Sequence, residues 1–395
     1  MKKDLEIGIP IIVVIAAGFL MWALLTGQTI SVKMEPQAIY GPNLPGVKPV
    51  VPVAPAAPLK PPSIPVQITQ KSPEVFAYAH GTVMADGKIF IGMASRSGNP
   101  FPTNRLYVFT DPSDLTKFRI ISIPRTGDIE SMVFDEKNDQ IYFTLSNNGS
   151  LEIYRIDPKT YFVSTVISTT SVDIGLKPAI ATDGTYLYGI TYTNPATIYK
   201  VGIYGTTLVV SPYAHISNGH SAAVGVYGSS TELYFGGGEA DLFEKVNGDD
   251  LSSMGMLYFP GCSITDDMPY QPVVDANSST TYGYVYLGCE RQPYGYRVRT
   301  NDLTYTKFDL PGSSFGMYIF GNDLYNAAQD GNYDVFANMD LSNPKRYFVG
   351  QDIQLNELFM ATTASSTMAS TSSVGTQSLL FTGWWGVKGL YEVAL

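Results

Sequence analysis

The sequence is poor in charged residues, and it carries no basic cluster. Charged side chains make up 15% of the chain, and the formal net charge is −10. Proteins that bind nucleic acid concentrate Lys and Arg on one surface, so we predict no nucleic-acid partner. Tyrosine, glycine and proline are abundant, and few stretches look like Glu- and Lys-rich helix faces. This composition favours an all-β protein.

The sequence also lacks the short motifs that mark common catalytic and cofactor sites. It contains no G-x-S-x-G elbow, no phosphate-binding loop and no dinucleotide-binding fingerprint. The spacing of His215 and His220 matches no standard zinc motif. We therefore predict no metal and no cofactor. The open alternative is a structural or catalytic divalent metal, with His80 joining His215 and His220 across the fold.

Long apolar runs are also rare, with one exception near the start of the chain. Residues 1–6 include Lys2 and Lys3, and Ile7–Leu25 then form an uninterrupted apolar run. A helix of about 20 apolar residues crosses the hydrocarbon core of a bilayer, and positive residues before it stay in the cytoplasm. We predict an uncleaved signal-anchor helix at 7–25 with a cytoplasmic N-terminus. A cleaved signal peptide is the alternative, although its apolar region is normally ~7–15 residues long.

A proline-rich segment follows the apolar run. Glu35–Pro65 is so dense in proline that helix and regular sheet are excluded, and extended polyproline II is favoured. Residues 26–65 are therefore predicted to form an extended stalk. A ligand for a proline-binding adaptor domain is the alternative.

A strand pattern with an aromatic centre recurs after the stalk, at intervals of 40 to 55 residues. The aromatic centres are Tyr107, Tyr154, Tyr199, Phe243, Tyr296, Phe336 and Tyr391. A second apolar strand lies upstream of each, and Gly-rich turns of hairpin type join further short strands. Four antiparallel strands in a unit of this length are the content of a propeller blade.

We therefore predict a seven-bladed β-propeller over residues 66–395. Six or eight blades, a β-sandwich and two unrelated β-domains are the alternatives. The seventh unit ends with Lys388–Leu395 and lacks its outermost strand, whereas Pro65–Gln70 has no unit of its own. We expect Pro65–Gln70 to supply the missing strand and close the ring, which would leave no open sheet edge.

One repeat unit resembles the blades of a known family. In LEIYRIDPKTYFVSTVIS, Leu151–Ser168, a strand carries Tyr154 and Asp157, and the following turn carries Pro158 and Thr160. This pattern resembles the YVTN-type propellers of bacterial and archaeal surface proteins. The resemblance implies a propeller fold and a surface setting. It implies no substrate, because fold does not determine function.

The only two cysteines fall in the same repeat unit. Cys262 lies in the loop that leads into the fifth unit, and Cys289 ends the second strand of that unit. Both map to one face of the predicted ring, so we predict a disulfide between them. Two buried free thiols are the alternative.

The same face of the predicted ring gathers most of the candidate binding residues. The loops that lead into innermost strands, and those between second and third strands, share this face with the mouth of the central channel. The candidates are His80, Glu130, Lys177, His220, Glu239, Asp267, Arg291, Trp384 and Trp385.

Two pairs among these candidates carry a specific hypothesis. Glu130 and Lys177 form either an ordinary ion pair in a wet channel or an acid–base pair. Trp384 and Trp385 stand between glycines, and strand alternation would direct one indole outward. An outward indole can stack on a sugar ring or anchor a protein partner. Packing of both indoles between blades is the alternative.

The sequence as a whole favours a membrane-anchored recognition module. An anchor at Ile7–Leu25, a stalk and a ring without a catalytic signature would hold the propeller outside the cytoplasm. There, at a cell envelope or virion surface, it would bind a surface protein or a glycan. The alternative is an extracytoplasmic propeller enzyme of lactonase, other hydrolase or lyase type, with its site at the channel mouth.

Overall fold

The computed structural model describes residues 47–49, 62–94, 101–146, 149–176, 178–211, 215–238, 241–274, 281–350, 354–362, 377–383 and 388–394. They lie within one compact unit, residues 46–395. No helix among these described residues is long and apolar enough to cross a membrane. The predicted membrane span, Ile7–Leu25, lies outside the described residues.

The described residues form seven sheets, which confirms the predicted seven-bladed propeller. Three strands precede the blades: β1 (Val47–Pro49), β2 (Ile64–Pro65) and β3 (Ile68–Lys71). Blade one contains β4 (Ala79–Ala85), β5 (Lys88–Met93), β6 (Arg105–Phe109) and β7 (Phe118–Ser122). Blade two contains β8 (Asp128–Asp135), β9 (Gln140–Ser146), β10 (Leu151–Ile156) and β11 (Val163–Thr169). Blade three contains β12 (Ala179–Thr182), β13 (Tyr186–Ile190), β14 (Ile198–Gly202) and β15 (Leu208–Val210).

The remaining blades repeat the same order. Blade four contains β16 (Gly219–Tyr227), β17 (Ser230–Gly237), β18 (Leu242–Asn247) and β19 (Ser253–Tyr258). Blade five contains β20 (Tyr270–Val274), β21 (Thr281–Gly288), β22 (Tyr294–Arg299) and β23 (Tyr305–Asp309). Blade six contains β24 (Ser314–Phe320), β25 (Asp323–Ala328), β26 (Asn332–Phe336) and β27 (Lys345–Phe348), with a 3₁₀ turn at Ala337–Met339. Blade seven contains β28 (Leu355–Thr362), β29 (Gln377–Gly383) and β30 (Tyr391–Ala394).

The ring closes at blade seven, as predicted. β3 pairs antiparallel with β30 as the outermost strand of that sheet, with Ile68 opposite Val393 and Lys71 opposite Tyr391. The pairing continues past the strand, because the Ser72 N–H donates to the Leu390 carbonyl at 2.8 Å. Residues before the first blade therefore complete the last one.

Two further short strands pair with the outer edges of blades. β1 pairs in parallel with β19, with Val47 opposite Met256, and β2 pairs in parallel with β27, with Ile64 opposite Tyr347. Both lie within residues 26–65, the range predicted as a stalk. Each contains a proline. Proline is tolerated on an edge strand because the outer edge of such a strand needs no backbone hydrogen bond to a further strand. These parts of the proline-rich segment therefore lie on the ring.

The recurring aromatic residues form the packing between strands. All seven lie in the third strands of their blades, and all are buried. Several stack on a ring of the neighbouring second strand: the Phe143 and Tyr154 centroids are 5.5 Å apart, and those of Phe381 and Tyr391 are 5.2 Å apart. Such cross-strand aromatic pairs stabilise antiparallel sheets, which explains why the pattern marks each blade.

Glycines near the ends of second strands let neighbouring blades approach each other. A Cβ on Gly92 in β5 would lie 2.3 Å from Cγ2 of Ile129, in the first strand of the next blade. A Cβ on Gly288 in β21 would lie 2.2 Å from Oγ of Ser314, again in the next blade. Packing between blades therefore requires glycine at these two positions.

We expect Gly92→Ala to lower the free energy of unfolding by about 1–3 kcal/mol, because the added methyl group overpacks the contact with Ile129. Gly202→Ala is the matched control, since a Cβ there would have its nearest neighbour at 3.7 Å. That control is expected to be neutral or slightly stabilising. Urea unfolding of the two variants measures the difference, and equal unfolding free energies would disprove the packing argument.

Candidate functional site

The first strands of several blades begin around a small polar cavity at the axis. His80 lies in β4, Glu130 in β8 and His220 in β16, each within the first three residues of its strand. Asp266 and Asp267 approach from the loop before β20. The cavity that these residues line has a volume of about 40 Å³. The sequence predicted that the starts of the first strands share one face of the ring, because propeller strands begin at the axis with the same polarity, but it did not predict which side chains meet there.

His80 is fixed by the neighbouring blade. Its Nδ1 lies 2.7 Å from the backbone carbonyl oxygen of Glu130 and 3.2 Å from Oε2 of the same residue. Both neighbours are hydrogen-bond acceptors, which favours an N–H at Nδ1. The other ring nitrogen, Nε2, lies 3.1 Å from Oδ2 of Asp266. Contacts at both ring nitrogens therefore fix the orientation of the imidazole.

His220 approaches the same carboxylate from the opposite side of the cavity. Its Nε2 lies 2.5 Å from Oδ1 of Asp266. Its Nδ1 lies 3.4 Å from the Ile264 carbonyl oxygen and 3.8 Å from Oε1 of Glu290. The ring of Tyr192 packs beside it with a centroid separation of 5.5 Å. Asp266 therefore bridges two imidazoles that belong to different blades.

The disulfide holds the loop that carries Asp266. Cys262 and Cys289 are bonded, which confirms the predicted pairing, and both side chains are buried. Next to the bond, Ile264 pairs with Cys289 as an isolated bridge, and the Glu290 N–H donates to the Ser263 carbonyl at 2.9 Å. The cross-link thus fixes the loop before β20 against the end of β21. Asp266 and Glu290 are thereby held near each other.

Asp267 lines the same cavity and also contacts blade six. The Tyr318 hydroxyl donates to its Oδ2 at 2.5 Å. Burial raises the pKa of Asp267 to about 6; the charge of Asp266 raises this pKa too, whereas the Tyr318 hydrogen bond lowers it. The two adjacent aspartates therefore have different roles: Asp266 contacts the imidazoles, and Asp267 fastens the loop to the next blade.

The structure brings together four of the predicted site residues: His80, Glu130, His220 and Asp267. Arg291 is exposed in the loop between β21 and β22, at the same end of blade five. The other predicted residues, Lys177, Glu239, Trp384 and Trp385, lie outside the described residues, so their predicted roles stay predictions.

The suggested site of three histidines is wrong. His215 does not join the other two, because its Nδ1 lies 3.0 Å from Oε1 of Glu244 and its side chain is 40% exposed. The structure adds Asp266 to the site, with Glu290 beside His220. The sequence signal for Asp266 was the Asp-Asp pair near Cys262, of which the prediction named only Asp267.

This arrangement can hold a positively charged ligand. His220, Asp266 and Glu290 bring one ligand atom each within 4.8 Å of one another. Imidazole nitrogen and carboxylate oxygen are the ligands that zinc and similar metals take in proteins. A larger groove of about 580 Å³ lies beside β23 and the segment before β27, and it gathers no comparable set of ligand groups.

Comparison with known proteins identifies the fold and no more. No family model matches the chain, and no curated protein matches it. The YVTN-type resemblance therefore stays a prediction. Among solved structures, Saccharomyces cerevisiae Sqt1 matches with a TM-score of 0.55 and 10% identity, covering 85% of this chain and 99% of that one. BBS1N, solved in complex with ARL6DN, matches with a TM-score of 0.54 and 12% identity, covering 84% and 97%.

Proposed function

We propose that this protein is a membrane-tethered recognition module whose propeller binds a protein partner outside the cytoplasm. The observation that carries the proposal is the closed ring, with an axial cavity of only about 40 Å³ between the described residues. Pockets for small organic ligands usually measure ~300–1,000 Å³. The axial cavity between the described residues is therefore too small for such a ligand, which favours a larger partner at this end of the ring.

The location outside the cytoplasm is supported by two features of the chain. Cys262 and Cys289 form a disulfide, and stable disulfides are typical of oxidising compartments. Ile7–Leu25 has the length and composition of a membrane-spanning helix, and it follows two lysines. An envelope or virion surface fits both features.

A protein is the partner class that the comparisons favour. BBS1N, a propeller of similar topology, is described in complex with ARL6DN. We place the partner on the face where the first strands begin, hereafter the axial face, because the exposed Arg291 lies there. Arginine is enriched at the centres of protein interfaces. Trp384 and Trp385 were predicted on this face as well. No observation supports the glycan alternative.

A binding measurement with surface variants tests this proposal. The full chain, purified in detergent, is cross-linked to surface proteins of its host, and the captured partner is then purified and titrated. We expect Arg291→Ala and Trp385→Ala each to raise Kd by about 10-fold or more, as at an interface hot spot. Arg299→Ala is the matched control, because Arg299 ends β22 at the opposite end of the same blade. It should change Kd less than about twofold.

Three results would contradict the proposal. The first is a Kd that rises in Arg299→Ala but not in Arg291→Ala or Trp385→Ala. The axial face would then be the wrong surface. The second is binding to a glycan array with no protein partner. The third is release of the full chain from carbonate-washed membranes, which would remove the tether at Ile7–Leu25.

The enzymatic alternative rests on the His80, Asp266 and His220 contacts. Paired imidazoles and carboxylates are able to transfer protons or bind a catalytic metal. The small axial cavity counts against it, because a lactone or sugar ring would not fit among the described lining residues. Turnover of a lactone or glycoside that is lost in His220→Ala would favour this alternative over recognition.

A further inference from the structure

We propose that a pocket between blades five and six binds a small organic anion, whose carboxylate or phosphate group is held by Arg297. The pocket has a volume of about 320 Å³. It lies on the face of the ring opposite the axial face. The inference is therefore independent of the partner-binding surface proposed above.

The order of the strands places this pocket. First strands begin at the axial face, so the turns that follow them lie at the opposite face. Asn322 lies in such a turn, between β24 and β25, and Asn338 lies in the 3₁₀ turn after β26. Arg297, in β22, lines the pocket from the sheet of blade five. Blades five and six therefore each provide part of the pocket wall.

The charge of Arg297 is the first argument. Its guanidinium carbon lies 4.8 Å from the centroid of the Tyr284 ring, which stabilises the cation without neutralising it. Among the described residues, the arginines that form ion pairs are Arg125, Arg299 and Arg346. The Nε of Arg297 is buried and has no hydrogen-bond partner within the same part of the chain. A buried charged donor without an acceptor is costly, so this site favours an anionic ligand.

Arg299 offers a comparison two residues further along β22. Its guanidinium carbon lies 4.4 Å from the centroid of the Tyr282 ring, and its Nε is likewise buried. However, its Nη1 lies 3.5 Å from Oδ2 of Asp302. Arg299 therefore has an anionic partner within the chain, and it does not line the pocket.

The second argument is the set of neutral donors near Arg297. The Tyr286 hydroxyl donates to Oε1 of Gln271 at 2.9 Å, which leaves the NH₂ group of Gln271 as a donor. Burial raises the pKa of Tyr286, although the neighbouring Arg297 lowers it, so this hydroxyl keeps its proton. Asn322 and Asn338 add two further side-chain amides.

The pocket also lacks acidic groups, although the chain as a whole is acidic. No aspartate or glutamate is among the described residues that line it. One guanidinium and several N–H donors, without a competing carboxylate, are the groups that bind carboxylates and phosphates in proteins. The shared chemistry of the ligand is therefore an oxyanion.

The third argument is the apolar part of the wall. Tyr286 belongs to a buried cluster between blades five and six, and Tyr284 and Met339 pack against this cluster. The volume of about 320 Å³ lies within the range of ~300–1,000 Å³ that is usual for sites of small organic ligands. The pocket therefore fits a molecule with an apolar body and one anionic group better than it fits an inorganic ion.

Fluorine NMR with small probes tests this site. The full chain, in a nonionic detergent, is titrated with para-fluorobenzoate and para-fluorophenyl phosphate, and with para-fluorobenzamide as the neutral analogue. We expect at least one of the two anions to bind with a Kd of ~0.1–5 mM, as a fragment of about ten non-hydrogen atoms allows. The neutral amide should bind at least about 10-fold more weakly. The anion that binds more tightly identifies the recognised group as carboxylate or phosphate.

Arginine variants locate the binding site. Arg297→Met should weaken binding of the tighter anion at least about 10-fold, because it removes the charged donors. Arg297→Lys keeps the charge without the planar fork, so its loss should be smaller. Arg299→Met is the matched control, because this arginine packs on a tyrosine of the same blade outside the pocket. Its Kd should stay within about twofold of the parent at physiological ionic strength.

The competing interpretation is an ion pair between Arg297 and a carboxylate outside the described residues, such as Asp275, which directly follows β20. A parent chain that binds neither anion would overturn the proposal, and a gain of binding in Asp275→Asn would then support that ion pair. Equal Kd values of the parent for para-fluorobenzamide and the tighter anion would also overturn it, and this comparison requires no variant to fold. So would an Arg299→Met chain that loses as much affinity as Arg297→Met.

Discussion

A chain that begins at residue 72 should be much less stable than one that begins at residue 62. The longer chain keeps β3, whereas the shorter one loses it. We expect the shorter chain to lose roughly 3–5 kcal/mol of unfolding free energy, from a few backbone hydrogen bonds at ~1 kcal/mol each and the buried surface beside them. Its Tm should fall by roughly 4–7 °C, because a ring of this size unfolds with a large entropy change.

The reason for this loss is the open edge that remains. β3 covers β30 by backbone pairing, and the Lys71 ammonium lies over the Tyr391 ring at 5.1 Å from its centroid. Val66, just before β3, packs against the core of blades six and seven. Without these residues, β30 would expose its unpaired N–H and C=O groups, and exposed edges lead to aggregation. The shorter chain should therefore also form oligomers.

The chain that begins at residue 62 is the control. It lacks β1 but keeps both β2 and β3, so its Tm should lie within about 3 °C of the parent. Differential scanning calorimetry and gel filtration of both truncations decide the result. If the two truncations melt together as monomers, the pairing of β3 with β30 does not hold the ring closed.

The architecture could be predicted from the sequence because each blade repeats a local pattern. The aromatic residue of the third strand, such as Tyr154, recurs in every blade because it packs between strands, and several blades also share a second-strand glycine such as Gly92. The closing strand was inferred by elimination, because blade seven lacked one strand in the sequence and Pro65–Gln70 belonged to no blade. The pairing of β1 and β2 was not predictable, because their proline content indicates extended chain whether it is free or paired.

The site was only partly predictable, because its residues come from separate blades. His80, Glu130 and His220 were found since each lies near the start of a first strand, a position that the repeat defines. Asp267 was predicted and also lines the cavity, but the contact of Asp266 with the two histidines was missed, because pairing register decides which atoms of this loop reach them. That register is set by the bridge between Asp267 and Gly316 of blade six, which no local pattern encodes.

Removal of the disulfide should destabilise the propeller nearly as much as loss of the closing strand. Cys262 and Cys289 are 27 residues apart, and a closed loop of that length stabilises the folded state by about 3–4 kcal/mol in the chain-entropy model. The double variant Cys262→Ala/Cys289→Ala should therefore melt roughly 4–6 °C below the parent. Both side chains are fully buried, so the change also leaves a small cavity.

The disulfide also connects the stability of the fold with the arrangement of His80, His220 and Asp266 at the axis. The Ser314 N–H donates to the Cys289 carbonyl at 3.0 Å, and the Gln329 side-chain amide donates to the Glu290 carbonyl at 3.1 Å. The segment between β21 and β22, to which the disulfide ties the loop before β20, therefore joins blade five to blade six. When the cross-link is absent, the loop with Asp266 should move away from the histidines. Local opening of this kind has a lower free energy than global unfolding, and hydrogen exchange detects it. We expect faster amide exchange at residues 262–267 in the double variant.

Treatment with a reductant distinguishes the loss of the disulfide from a general weakening of the core. Dithiothreitol in moderate urea should lower the Tm of the parent to that of the double variant, and it should leave the double variant unchanged, because no thiol remains. Leu287→Ala is a useful comparison, since it makes a cavity in the same buried cluster and keeps the disulfide. Its exchange rates at residues 262–267 should rise less than those of the double variant. If the double variant melts within about 2 °C of the parent, the loop constraint does not contribute to stability as the chain-entropy model requires.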